Sequence, residues 1–257
     1  MPTGLARRAA TARQDPPRCF PSLAPHLEAP RLWPHLCHRP RHTAPGSDGP
    51  TGDDLTPECV AWSATTLRAV HPQGYRPPPG RRPSIPKPGK HAWRPLGGPC
   101  VGDRVLQRRV ADVLTAIYEQ DVLSCSFGGR PGRGAHHALA TLHEVMAGKP
   151  VSGVYEAARR HGLGSGDHGW LWRFVQHRVG DPRMLCLIRR WLQAGGLADG
   201  RIEPSEEGGP PGGRMRVVLS TLSLHYVLDL WVARVVKSRL QGEAYLIRYM
   251  DGTPVPA

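Results

Sequence analysis

The sequence has no uninterrupted apolar run approaching the roughly 18 residues that a membrane-crossing helix requires. Its N-terminus carries arginines but no continuous apolar stretch ahead of a small-residue cleavage site. A secretory leader is therefore not expected, and the cytoplasm is the expected compartment. The six cysteines, Cys19, Cys37, Cys59, Cys100, Cys125 and Cys186, never fall into a Cys-x-x-Cys spacing. That pattern suits reduced thiols better than a disulfide framework. His35, Cys37 and His38 could be drawn as metal ligands, but no second pair follows at zinc-finger spacing. Gly/Pro clusters such as Pro77-Pro78-Pro79-Gly80 lack the Lys-Ser/Thr completion of a phosphate-cradling P-loop. Acidic residues are the scarce charge: 21 Asp+Glu stand against 34 Lys+Arg, for a net +13. This excess favours a polyanionic partner, nucleic acid ahead of a membrane surface.

At 257 residues the chain is long enough for one sizeable core or two small ones. Residues 1–60 are rich in Pro, Arg, Ala and His and hold no sustained apolar period, so they read as a largely irregular segment. From about residue 101 the pattern changes. Val105, Leu106, Val110, Val113, Leu114 and Ile117 recur at helical spacing, as do Ala135, Ala138, Leu139, Leu142 and Val145. Further helices fit Trp170–Val175, Arg183 to about Ala194, and about Val217 to Val236, with Gly195-Gly196 stopping the second of these. Ala244–Met250 is short, aromatic and apolar, and reads as a strand. The seven tryptophans sit mostly at apolar helical positions, where core packing is expected; Trp93, between Lys90 and Arg94, is the exception suited to base stacking.

Four blocks then follow one another in order. Ser84-Ile85-Pro86-Lys87 leads to Arg94-Pro95-Leu96-Gly97. Next come Phe127-Gly128-Gly129-Arg130-Pro131-Gly132-Arg133 and Glu206-Glu207-Gly208-Gly209-Pro210-Pro211-Gly212-Gly213, and the last is Arg248-Tyr249-Met250-Asp251-Gly252. In this order they resemble the fingers and palm blocks of group II intron reverse transcriptases, whose usual forms are close to IPK…RPLG, FRPGR, EEGTPQGG and RYADD. Ala44-Pro45-Gly46-Ser47-Asp48-Gly49 partly resembles a further block nearer the N-terminus.

The resemblance implies an RNA-directed DNA polymerase using Mg²⁺, an RNA template, a DNA primer and deoxynucleoside triphosphates. It implies Lys87, Arg94, Arg130 and Arg133 as nucleotide- and template-binding residues, because ammonium and guanidinium groups suit phosphate oxygens. Asp251 matches the first aspartate of the family's paired metal-binding turn, so it is the remnant catalytic and metal residue. Two-metal phosphoryl transfer needs rigid carboxylates on adjacent strands. Here Ala158 stands where the first strand aspartate belongs, Gly252 where the second turn aspartate belongs, and Pro211 where the family has a glutamine. Glu156 shares a strand face with residue 158 by two-residue alternation but lies one pair away.

The expected fold class is thus α+β: a partial right-hand polymerase with fingers and an incomplete palm over residues 61–257, and with thumb and maturase regions missing after the Arg248–Gly252 block. The expected activity is the family's, lost in this copy. A non-catalytic, basic RNA-binding remnant is the alternative, and a poorly folding relic is a further one.

Overall fold

A computed structural model describes residues 4–28, 31–32, 34–35, 46–47, 49, 75–81, 84–86, 93–95, 98–158, 167–198, 201–203, 213–250 and 252–256. These residues are mostly helical. In chain order the helices are α1 (Gly4–Gln14), α2 (Val101–Tyr118), α3 (Ala135–Gly148), α4 (His168–Gln176), α5 (Pro182–Gln193) and α6 (Gly213–Leu224). Helix α6 runs on through two π-helical turns, His225–Asp229 and Val232–Val236, to Arg239.

The apolar period that predicts α2 is the one it buries. Val105, Val110, Val113, Leu114 and Ile117, spaced so that they share one helix face, are 0–5% exposed, which makes one continuous stripe. α2 lies against α6 and α1, and α4 packs on α5 and α6. The same core takes in Met184, Leu187, Ile188 and Trp191 of α5, and Met215, Leu219 and Leu222 of α6.

Buried polar groups close this core at defined points. Tyr118 donates its hydroxyl to the carbonyls of Phe174 and Val175 at 2.9 and 2.8 Å. Asp103 accepts from Tyr75 and from the Trp191 indole, the latter at 2.8 Å. Arg178, 1% exposed, reaches Asp121 at 3.0 Å and the Ala12 carbonyl at 3.2 Å. Asp181 caps α5 through the Arg183 and Met184 amides and also accepts from the Leu23 and Ala24 amides at 2.6 and 2.7 Å. Burial pushes its carboxyl upward, but the four backbone donors win and hold it below the usual carboxylate value.

These contacts explain an order that composition hides. Within the segment that reads as irregular, α1 forms and Ala12, Phe20, Leu23 and Leu27 enter the main core. Local sequence supplies no apolar period there, so docking onto Asp181 and Arg178 has to supply the order. Phe20 also pairs with Val179 in an isolated bridge.

Three helix expectations need qualification. α3 forms where predicted, yet only Ala138 of it is buried and Leu139 is 61% exposed. Core packing holds for Trp191 but not for Trp170 and Trp231, which are 57% and 53% exposed. Gly213–Arg239 has the length, and with a mean hydropathy of 1.2 the composition, of a membrane span, although no single apolar run there is long enough. Half of that window is buried within the protein, as in a core helix.

The strands are short. β1 (Gly80–Arg81) pairs in parallel with β5 (Gly196–Ala198), which pairs antiparallel with β6 (Arg201–Glu203). β2 (Ser84–Pro86) pairs antiparallel with β3 (Trp93–Pro95), and β4 (Val154–Ala158) with β7 (Gly252–Pro256). The segment 244–250, read as a strand, forms no ladder and contributes isolated bridges at Arg248 and Tyr249, the former parallel to Ser126. Ladder pairing falls instead to β7, just beyond it.

Candidate nucleic-acid interface

The Phe127–Arg133 loop and the Arg248–Met250 turn are distant in sequence and adjacent in space. The Phe127 amide donates to the Arg248 carbonyl at 2.8 Å, and the Arg248 amide to the Cys125 carbonyl at 2.7 Å. Glycine is what allows the approach. A Cβ on Gly128 would lie 2.3 Å from the Met250 amide nitrogen. Gly129 adopts φ +72°, and a Cβ there would meet Val217 at 2.2 Å. Met250 itself has φ 56°, the left-handed region that a non-glycine residue enters at a cost.

Arg248 holds the turn in that place. Its guanidinium forms a two-pronged pair with Asp229, Nε to Oδ1 and Nη2 to Oδ2 both at 2.8 Å, with both side chains 0% exposed. Nη1 returns to the Met250 carbonyl at 3.2 Å. His225 lies one turn before Asp229, with Nδ1 3.9 Å from Oδ2. Burial lowers the His225 pKa to about 4; Asp229 opposes this, while Arg248, Arg130 and Arg234 reinforce it. Burial also raises the neighbouring Cys125 thiol to about 11. Asp229 and His225 were not picked out from the sequence. The signal was there: a lone acid inside Tyr226-Val227-Leu228-Asp229-Leu230-Trp231 has to be paired if it is buried.

The two loop arginines differ. Arg130 is 9% exposed. Its Nε reaches both Glu119 oxygens at 3.1 and 3.0 Å, Nη2 reaches Glu119 at 2.7 Å and the Val122 carbonyl at 3.2 Å, and Nη1 reaches the Leu123 and Ser126 carbonyls at 2.7 Å. The guanidinium is thereby committed within the protein. Arg133 is half-exposed, donates to the Ser124 carbonyl at 2.7 Å and lies over the Phe127 ring at 5.4 Å. It keeps donors for an outside anion.

Arg94 lies in β3, its backbone opposite Ile85 of β2, next to Ser84–Pro86. This brings Ser84–Pro86 and Trp93–Pro95 together as an antiparallel pair. Lys87 and Asp251 lie outside the described residues, as do Cys37, His38 and Pro211. His35 pairs with Asp112 at 3.0 Å, and Arg214 approaches the same carboxylate at 3.5 Å.

The β4–β7 ladder places the positions that matter for metal chemistry. Ala158 is directly opposite Gly252, and Glu156 is opposite Pro254. The two positions that the resemblance assigns to metal-binding carboxylates thus face each other across one antiparallel pair, and neither residue there is acidic. Among the described residues no cluster of three His, Cys, Asp or Glu could hold an ion. The residue types at 158 and 252 do not fit a two-ion site, so no catalytic step is derived through one.

No family model matches the chain. It is 33% identical over 202 residues to Protein YkfC of Escherichia coli (strain K12), a match covering 77% of this chain and 52% of that protein. It is 32% identical over 161 residues to the group II intron-encoded protein LtrA of Lactococcus lactis subsp. cremoris, covering 63% of this chain and 26% of LtrA. A 91 kDa protein in the cob intron of Schizosaccharomyces pombe is 31% identical over 161 residues, or 62% of this chain and 19% of that one. The chain therefore spans about half the length of YkfC and about a quarter of LtrA. These matches make it a homologue of part of the group II intron-encoded proteins, related to their reverse transcriptase family.

Proposed function

We propose that this chain, a relative of the group II intron-encoded reverse transcriptases, binds RNA through its basic loops without transferring nucleotides. Its partner is structured RNA, and the right-hand polymerase plan serves as a scaffold rather than as an active site. The observation that carries this reading is the β4–β7 register, in which Ala158 stands opposite Gly252. The ladder is kept and two carboxylates are absent from it. Nucleotidyl transfer needs those oxygens to hold hard divalent ions, and Asp251 alone does not supply them.

The net charge of +13 supports binding to a polyanion. Lys87, Arg94 and Arg133 are the proposed phosphate contacts. Arg130 is proposed to set the loop through Glu119, so that Arg133 is presented outward. Asp251 is proposed as a relic of the metal site.

The test has two arms on the same preparation. Primer extension on an RNA template with Mg²⁺ or Mn²⁺ should stay at the level of a no-protein control. Binding to a structured RNA should weaken steeply and linearly on a logarithmic salt axis. Extension above control that Asp251→Ala abolishes would restore the enzymatic reading. Salt-independent binding, or none, would remove the RNA-binding one.

A further inference from the structure

Helices α4 and α5 meet along a cleft of about 290 Å³ that the function above does not use. His168 and Trp172 of α4 line one side of it, and Arg189, Leu192 and Gln193 of α5 line the other. The helical period explains the grouping. His168 and Trp172 are four positions apart, as are Arg189 and Gln193, so each pair projects from one face of its helix. Trp172 is half-buried, whereas Arg189 and Gln193 are exposed. The Arg189 guanidinium lies over the Trp172 ring at 6.0 Å. Among the described residues Arg189 makes no ion pair with a carboxylate. Asp167, exposed and next to His168 in sequence, accepts from the Trp170 amide at 2.8 Å as the cap of α4.

We infer that this cleft binds a nucleotide of single-stranded RNA, with the base against Trp172 and the adjoining phosphate on Arg189. Three features meet there that this ligand class needs together. The indole offers a flat π surface, which any base can use because stacking does not depend on hydrogen-bond pattern. The guanidinium offers a forked cation for phosphate oxygens. The Gln193 amide, exposed at the cleft, offers a donor and an acceptor to base edges. A duplex keeps its bases inside the stack, so the cleft selects single strands over helices. It is separate from the Arg133 loop, and either site can fail alone.

The experiment uses the full chain and a labelled tetra-uridylate, with binding followed by fluorescence anisotropy at two or more salt concentrations. Trp172→Leu is expected to weaken binding roughly tenfold or more, from the loss of stacking, without changing the salt slope. Arg189→Gln, at an exposed position, is expected to reduce the slope by about one counterion. Trp172→Phe should recover most of the affinity, which separates a lost aromatic surface from a damaged fold. Arg133→Ala should leave tetra-uridylate binding unchanged even where it weakens structured RNA. The inference is overturned if Trp172→Leu binds as the parent does, if Trp172→Phe is as weak as Trp172→Leu, or if duplex RNA of equal length competes as well as the single strand. An acidic peptide that competes as well as the oligonucleotide would assign the cleft to a protein partner and overturn it too.

Discussion

At Arg248 the chain has a buried guanidinium whose partners are in place, both Asp229 oxygens and the Met250 carbonyl, and a backbone that bridges to Ser126. A few residues on, in β7, Gly252 faces Ala158 across a regular antiparallel ladder that carries no carboxylate at either position. The first region would be costly to lose piecemeal, because removing one member leaves a charge buried and unpaired. The second leaves no charge unpaired, since alanine and glycine carry no polar side chain, and its cost is limited to the roughly 0.5–1 kcal/mol of a strand glycine. Scaffold and chemistry are thus held by different forces.

The sharpest way to break this comparison is Asp229→Ala. It strands Arg248 at a position with no exposure, and the expected loss is about 3–5 kcal/mol of unfolding free energy, read from urea midpoints at constant slope. Replacing both partners by apolar residues should recover much of that loss. A change below about 1 kcal/mol for Asp229→Ala would show that the pair does not hold the turn.

Next in size is a pH effect. His225 and His26 are both buried and held to about pKa 4, against an ordinary 6.5. In His26 burial acts first, then Arg31, Arg8 and Arg109. The unfolded chain takes up these protons near pH 6.5 while the folded one resists them until about pH 4. Stability is therefore full above pH 6.5 and falls as the pH drops from 6.5 to 4, by on the order of 3 kcal/mol for His225. Chemical denaturation across that window measures it, and His225→Gln should flatten the dependence. A curve that stays level from pH 7 to 4 would contradict the burial of both rings.

Gly128→Ala tests the contact between loop and turn. With its Cβ 2.3 Å from a backbone nitrogen, the loop has to move away, at a cost of about 1–3 kcal/mol. Thermal unfolding should record the loss, and unchanged stability would mean that the two segments are not in contact.

Arg130 and Arg133 separate scaffold from surface within one loop. Arg133→Ala should leave the unfolding midpoint nearly unchanged and reduce the salt slope for structured RNA by about one contact. Arg130→Ala should lower stability, because Glu119 loses its ion-pair partner and the Val122, Leu123 and Ser126 carbonyls each lose a donor. If Arg130→Ala were stable and Arg133→Ala were not, the two roles would be exchanged.

The smallest expected effect is none. Ala158→Asp with Gly252→Asp puts carboxylates back on the ladder, yet Gly162, Gly164 and Gly166 follow where the resembled family has a packed strand. Each glycine costs roughly 0.5–1 kcal/mol in an element interior, and misplacing reacting groups by an ångström costs about a hundredfold in rate. Primer extension should remain at background, and measurable extension would show that only the two side chains were missing.

Local pattern alone located α2, α4, α5 and α6, because each carries apolar residues at helical spacing, and α4 and α5 also carry an aspartate cap that acts within a few residues. The ordered blocks also identified the lineage, and the letters at 158 and 252 already showed that neither residue is acidic. The neighbourhoods came from the tertiary structure. It brought Phe127-Gly128-Gly129 against Met250, gave the buried Arg248 an aspartate from a π-helical turn, turned Arg130 inward and left Arg133 half-exposed. It drew α1 and Phe20 into a core that their own sequence does not announce, and left the Leu139 side of α3 exposed despite its regular spacing. The division has one physical cause. Backbone preference and periodicity are short-range and can be read from neighbours in the chain, whereas burial and ion pairing are settled by whatever distant segment arrives, and a single residue letter does not name its partner.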